Sequence, residues 1–294
     1  MKPELYIFFA SICLATVGIL TKIIGSDIHP LVIGFYRVFF AMIILAIICP
    51  IIDKSTFKQN KKDMGMYAII GFLFAINLAF TCLAYIKSNV QNVTLIFSTA
   101  PFFALIIAYF VLKEKITKTK IITLIIAIIG IIIINPGKAE GGIWNFLTLG
   151  LAMLSGLLIV LLKKEDSNHS IGDVFWFFFF ATIFLIPFPI VFGLGKISIY
   201  TVLIGVVGTG LAYLIYNLGL KNDIEAETSS MIENISVPIF AIIFAVILIR
   251  EKLVLNIVIG GLILIIAGIY LELHNRKHKK KKKKNHHILL LHHK

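Results

Sequence analysis

"STAPFFALIIAYFVLKEK", Ser98 to Lys115, and "ISVPIFAIIFAVILIREK", Ile235 to Lys252, stand 137 positions apart, and seven of their 18 paired positions are identical. Each places a proline inside an apolar run and a basic–acidic–basic cluster at its end. Pro101 precedes Glu114 by 13 residues, and Pro238 precedes Glu251 by the same 13. An apolar helix interrupted by proline is costly to write once, because the ring removes a backbone donor and clashes with the preceding turn. Its recurrence at one offset points to an internal duplication.

The composition around the two segments fixes their solvent. The chain has 294 residues, 59% of them hydrophobic, with a mean hydropathy of +0.97. Globular chains hold about 45–50% apolar residues, and runs of about 20 apolar residues, enough to cross a bilayer as a helix, recur along this one. The first run follows Lys2 and Glu4 and continues to Ile24 without a small-residue cleavage site, so it reads as a retained span. The net charge of +13 does not point to nucleic acid. Nine Lys/Arg lie in the tail from Arg276 onward, which leaves 13 − 9 = +4 for the rest. Cys13, Cys49 and Cys82 lie in apolar runs without disulfide or metal-ligand spacing. No cofactor is expected.

The fold expected is an all-α integral membrane protein of ten helices, near 5–24, 31–52, 66–87, 90–112, 118–135, 143–163, 172–194, 197–219, 226–249 and 253–272. Short loops on one side hold 12 Lys/Arg before the tail, against six on the other, so the positive-inside rule puts both termini in the cytoplasm. Five spans per half is an odd number. The second half, 138–274, would therefore enter the membrane inverted relative to the first, 1–137, leaving 275–294 as a basic low-complexity cytoplasmic tail. Two oppositely oriented halves around a midplane site are a transporter signature. Thirteen residues is roughly 20 Å of helix, so Pro101 and Pro238 are expected near mid-membrane, as helix breaks or hinges or as kinks that serve packing.

"GVVGTGLAYLIYNLGLK", Gly205 to Lys221, with the Pro-to-Glu segment after it, resembles the second half of the EamA-type transporters of the drug/metabolite transporter superfamily. "FAINLAFTCLAYIK" and "FSTAPFFALIIAYFVLKEK" are similar to the first half. The resemblance covers roughly 1–273. It implies ten helices, the first four of each half lining a central cavity and the fifth outside, and transport of small metabolites such as amino acids. The family often has Trp in the first helix of each half and Glu before the second proline. Here those places read "LATVG" (Leu14 to Gly18), "MLSGL" (Met153 to Leu157) and Val237.

Candidate site residues follow from polarity inside apolar spans. Arg37, in "GFYRVFFA", sits where a charge costs at least ~2.5–3.5 kcal/mol. It either faces a cavity and binds a substrate carboxylate, or snorkels to the outer interface. Asn77, Thr81 and Tyr85 share one face at i, i+4, i+8. Thr209, Tyr213 and Asn217 repeat that spacing, with Tyr216 beside them. Gln91, Thr94, Ser98 and Pro101 line another face. Such stripes line a pathway or join helices by hydrogen bonds of about 0.6–2 kcal/mol. Glu233 and Asn234 lie before Pro238, and Glu233 is the candidate for proton coupling, or else an ordinary solvated acid near the cytoplasmic interface. Glu114 and Glu251 read as structural acids in tight turns, paired with adjacent Lys or Arg. "FWFFFF", Phe175 to Phe180, would face lipid or neighbouring helices.

The function these features support is secondary active transport of a small polar metabolite, an amino acid or related zwitterion, with export favoured. A membrane-embedded enzyme and a non-transporting scaffold are the other classes. Walker A, H-E-x-x-H and intramembrane Asp-pair patterns are absent. The expected partners are the substrate and the lipid bilayer, with proton coupling and a homodimer as further expectations, and no nucleic acid.

Overall fold

The computed structural model describes residues 2–58, 61–113, 117–134, 142–164, 171–221, 226–270 and 273, and these form helices and connecting turns with no strand among them. Three long helices open the chain: α1 (Pro3–Ile24), α2 (Pro30–Ile52) and α3 (Lys61–Lys87). Proline at the first position of α1 and α2 has its backbone angle preset for the helix and gives up a donor that would be unpaired there anyway. The next apolar run divides at Ser98 and Thr99 into α4 (Val90–Phe97) and α5 (Ala100–Val111). There follow α6 (Lys118–Ile134), α7 (Gly142–Lys164), α8 (Ile171–Leu185) and the short α9 (Pro187–Phe192). The expected span 197–219 is α10 (Ile199–Gly205), a π-helical segment (Val206–Leu211) and α11 (Ala212–Lys221). Then come α12 (Ala226–Leu248) and α13 (Leu255–Tyr270).

Among the described residues seven helices, counting α4–α5, α8–α9 and α10–α11 as one each, are long and apolar enough to cross a membrane; α12 and α13 hold shorter apolar stretches. The solvent-facing pattern matches that medium. Ile51, Phe110, Ile143, Phe146 and Ile190 are more than 70% exposed, whereas Arg37, Asn77, Gln91, Thr94 and Thr209 are buried. Polar groups turned inward and large apolar groups outward suit a chain surrounded by lipid.

Three boundaries differ from the sequence reading, each for a local reason. The span 90–112 breaks because Pro101 cannot donate backward, and the chain restarts as α5 with that proline in its first turn. The span 172–194 breaks at Ile186, immediately before Pro187. The span 197–219 is not a uniform α-helix but widens at Val206–Leu211. Conversely, α12 runs unbroken through Pro238, so the two prolines that share a register in sequence differ in conformation. Glu114, Glu225 and the basic tail lie outside the described residues.

Lipid supplies no hydrophobic drive between helices, so close approach must be built in with small residues. A Cβ on Gly34 would stand 2.4 Å from the Cα of Ala79, which marks how tightly α2 lies on α3, and one on Gly156 would stand 2.7 Å from the Ala104 nitrogen, between α7 and α5. α1 packs against α12 and α11, α3 against α8, α2 against α8 and α10, and α4 against α12 and α7. α6 and α13 meet through Ala127, Ile134, Leu264 and Ala267 in a separate cluster that also takes in Leu95 and Phe102. The polar residues collect among α2, α3, α4, α11 and α12.

Candidate substrate site

The π-helical segment positions the centre of the site. Gly205 and Gly210 bring α10 and the π turn onto α2: a Cβ on Gly205 would lie 2.5 Å from the Phe40 Cβ, and one on Gly210 would lie 3.1 Å from the Ala41 Cα. An extra residue in one helical turn re-aims the side chains that follow, which is why such bulges recur at functional sites. Here Thr209 donates its hydroxyl to the Ile204 carbonyl, five residues back, at 2.9 Å. That hydroxyl oxygen also accepts the Arg37 Nε–H at 2.9 Å. One threonine thus satisfies a widened turn and fixes a guanidinium.

Arg37 is 4% exposed. It points into the helix bundle, and of its two sequence readings the snorkelling one does not describe it. The guanidinium also has the Cys82 thiol of α3 within electrostatic reach. Its Nη1 is buried and has no hydrogen-bond partner among the described residues. A buried polar group is ordinarily paired, so this nitrogen is a donor held ready inside the bundle.

Glu233 forms a second pole. It is half-buried on α12, with Tyr216 of α11 within electrostatic reach. Tyr213 lies within electrostatic reach of both Arg37 and Glu233. Its ring is braced edge-on by Phe178 at 5.3 Å and Phe74 at 5.7 Å. Phe178 belongs to the "FWFFFF" run, and that run serves the interior: Phe175, Phe177 and Phe178 are buried, and Trp176 donates to the Thr56 carbonyl at 2.9 Å.

The other stripe residues divide into two groups. Tyr85 and Thr94 share a buried 3.3 Å hydrogen bond between α3 and α4, and Tyr85 also lies within electrostatic reach of Arg37. These two join the central group. Asn77 spends its amide on α7, donating to the Leu151 carbonyl and the Ser155 hydroxyl at 2.9 Å each. Thr81 donates back to the Asn77 carbonyl at 2.6 Å, Ser98 to Leu95 at 2.7 Å and Asn217 to Tyr213 at 2.9 Å. Asn234 and Pro101 are half-buried and Pro238 is buried.

Three features escaped the sequence reading. Cys82 lies within electrostatic reach of the guanidinium, but an isolated cysteine in an apolar run carries no visible signal. Tyr67 donates to Asp173 at 2.8 Å in a buried pair between α3 and α8; the acid in "SIGDVFW" was legible as a charge entering a span. Glu251 does not pair with its neighbours in a turn. Its carboxylate accepts the backbone N–H of Val90 at 2.8 Å and of Gln91 at 3.4 Å, capping α4 from 161 and 160 residues away. The unpaired amides and positive end of a helix are where a carboxylate belongs, and the tight loop after α12 delivers one there.

The EamA-like transporter family model matches residues 1–135 and again 142–273. An uncharacterized transporter of Clostridium kluyveri is 29% identical over 255 residues, which is 81% of each chain. The uncharacterized transporter YoaV of Bacillus subtilis is 23% identical over 84% of this chain and 88% of its own. An S-adenosylmethionine uptake transporter of Rickettsia bellii is 24% identical over 147 residues, half of each chain. A crystal structure of another protein superimposes with a TM-score of 0.68 over 94% of this chain and 99% of its own, at 13% identity. That likeness shows the fold alone.

Proposed function

The chain belongs to the EamA-like transporter family, and from that premise we propose that it is a secondary active transporter that moves a small polar metabolite across the cytoplasmic membrane by alternating access. The substrate class is an amino acid or related zwitterion, and the direction is export. The observation that carries this reading is the buried Arg37 Nη1 without a partner. A guanidinium donor kept dry and fixed by Thr209 is arranged to take a carboxylate, which it holds more firmly than a neutral acceptor. In this reading Tyr213, Tyr216, Tyr85 and Thr94 supply further polar atoms beside Arg37, Asn77 ties α3 to α7, and Thr81, Ser98, Asn217 and Asn234 are further cavity candidates.

Alternating access needs two similar halves, and several features support an inverted pair of five spans, 1–137 and 138–274. α1 lies on α12 much as α7 lies on α4 and α5, and α3 lies on α8 as α2 lies on α10 and the π segment. Lys113 and Arg250, 137 positions apart, are the two non-glycine residues with positive φ among those described, at 54° and 55°. Counted this way the spans are α1, α2, α3, α4–α5, α6, α7, α8–α9, α10–α11, α12 and α13. The lysine count then sets both termini in the cytoplasm. The break before Pro101 and the donor-free nitrogen of Pro238 are the hinge positions.

Glu233 is the proton-coupling group in this reading, since a carboxyl inside a helix bundle can exchange a proton as the site opens to either side. Glu233→Gln tests it. Flux in liposomes that ignores a pH gradient in wild type and variant alike removes the coupling.

Counterflow in liposomes tests the function. A transporter exchanges external labelled amino acid for internal unlabelled amino acid without ATP, whereas an enzyme or scaffold does not. The Rickettsia relatives are named for uptake, so flux is measured from both faces: net movement only toward the cytoplasmic face overturns export, and no exchange of any amino acid overturns the reading.

A further inference from the structure

We propose that Glu251 is a latch and not a permanent cap: it holds the outer side of the bundle shut by gripping the first turn of α4, and lets go when the site opens outward. The inference rests on the transporter reading and the membrane orientation given above, and adds the contact that separates one state of the cycle from the other. The carboxylate belongs to the second half of the chain and accepts two amides of the first, Val90 at 2.8 Å and Gln91 at 3.4 Å. The Gln91 side chain returns a 3.4 Å bond to the Lys252 carbonyl. Each side of the grip moves with its own helix. The Glu251 amide donates to the Ala245 carbonyl at 3.0 Å through the positive φ of Arg250, which fixes the carboxylate to the end of α12. α4 is only eight residues long and is parted from α5 at Ser98 and Thr99, and such a break at an element's end can act as a hinge.

The polar interior is closed at the end that Glu251 holds and open at the other. Val90 to Ile96 are all buried. α1 closes in on the start of α4: a Cβ on Gly18 would stand 2.8 Å from the Val90 Cγ1 and 2.9 Å from the Tyr85 Cε1. Glu233 precedes Glu251 by 18 residues, roughly 27 Å along a helix. At that far end Glu233 and Asn234 of α12, and Tyr216 and Asn217 of α11, are half-buried on either side of the connection between the two helices. Polar side chains partly open within a span face water and not lipid, so water enters from the cytoplasmic end. Two other contacts between the halves hold both ends at once and so cannot alternate. Tyr36 of α2 donates to the Leu194 carbonyl, between α9 and α10, at 3.1 Å. Trp176 of α8 donates to the Thr56 carbonyl, between α2 and α3, at 2.9 Å. These make a frame, and the α4–α12 contact is left to open.

The test reads accessibility, which needs no substrate and stands apart from counterflow. In a cysteine-free background, Ser98→Cys is labelled with a membrane-impermeant maleimide in right-side-out and in inverted membrane vesicles. With Glu251 in place, labelling is expected to be fast from the cytoplasmic face and slow from the outer face; the reverse order overturns the latch. Glu251→Gln should raise the outer rate by about threefold or more and lower the cytoplasmic rate, because loss of a contact made in one state shifts the population to the other. Loss of a permanent cap would only fray α4, raising the outer rate with the cytoplasmic rate unchanged. That result, or equal rates with and without Glu251, overturns the latch and leaves the transporter reading standing. Should Glu251→Gln fail to fold, Gln91→Cys with Lys252→Cys is joined in liposomes by a short reducible thiol crosslinker. Amino acid exchange should stop on crosslinking and return on reduction. Undiminished exchange in the crosslinked protein overturns the latch, and no exchange after reduction overturns the transporter reading with it.

Discussion

The backbone amide of Val90 donates to the Glu251 carboxylate at 2.8 Å across 161 residues of sequence. The contact ties the first turn of α4 to the loop between α12 and α13. The Gln91 side chain adds a 3.4 Å bond to the Lys252 carbonyl, and Lys22 at the end of α1 lies within electrostatic reach of the same carboxylate. One loop acid therefore joins three helical elements at one end of the bundle.

Replacing Glu251 should cost stability before it costs transport. Glu251→Ala strips the first two amides of α4 of their acceptor, a loss of about 0.5–2 kcal/mol for a helix cap. Glu251→Gln keeps one acceptor oxygen and loses the charge, so its cost should be smaller. Thermal unfolding of the detergent-solubilised protein should rank wild type above Gln and Gln above Ala. Equal melting of all three would mean that water caps α4 as well as Glu251 does.

Gly205, at the junction of α10 and the π segment, should be intolerant, and a glycine facing open space indifferent. Gly205→Ala drives a Cβ to 2.5 Å from the Phe40 Cβ, with the Arg37 carbonyl at 3.0 Å. Overpacking of this kind costs about 1–3 kcal/mol, and it shifts the turn that presents Thr209. Gly150→Ala on α7 meets nothing within 4 Å, and should be neutral or stabilising by about 0.4–1 kcal/mol through loss of unfolded-chain freedom. Melting temperatures of the pair check both signs.

The sequence told more about the material than about the joints. Apolar run length and loop charge are local quantities, so an all-helical membrane chain was legible from them, as was Arg37 as an anomaly. The Asn77 amide illustrates what was not. Its spacing with Thr81 and Tyr85 is correct, yet whether the stripe faces a pathway or α7 depends on how helices rotate against each other. The same holds for Glu251, whose neighbours in sequence are bases but whose partners in space are amides of a distant helix. The π turn had a signal in the Gly205, Gly208 and Gly210 cluster, but such a cluster in sequence speaks equally for close packing. Glycine permits both close approach and a widened turn, and only the neighbouring helix decides.

Arg37 and Thr209 should separate function from stability. Arg37→Ala removes a buried charge together with its desolvation cost, so the variant should insert and melt near wild type, while flux of carboxylate substrates falls by at least tenfold. Thr209→Val keeps the shape but leaves the Nε donor without its acceptor, at about 1–3 kcal/mol, and lets the guanidinium swing. Its substrate affinity should drop less than that of Arg37→Ala, and its melting temperature more. Wild-type flux in folded Arg37→Ala would remove the arginine from the site.

The inverted duplication makes a prediction that needs no substrate. Lys113 and Arg250 occupy matching places, each ending a helix with positive φ, and five spans between them would put them on opposite sides of the membrane. In a cysteine-free background, Lys113→Cys and Arg250→Cys are probed in intact cells with a membrane-impermeant maleimide. A non-glycine residue in this conformation is already strained by about 1–2 kcal/mol, and cysteine adds no larger penalty than lysine or arginine, so both variants should fold. Arg250→Cys is expected to label from outside, and Lys113→Cys only after the membrane is opened. Labelling of both from one side would mean that the repeated segments enter the membrane in the same direction, and would remove the basis for alternating access around a shared centre.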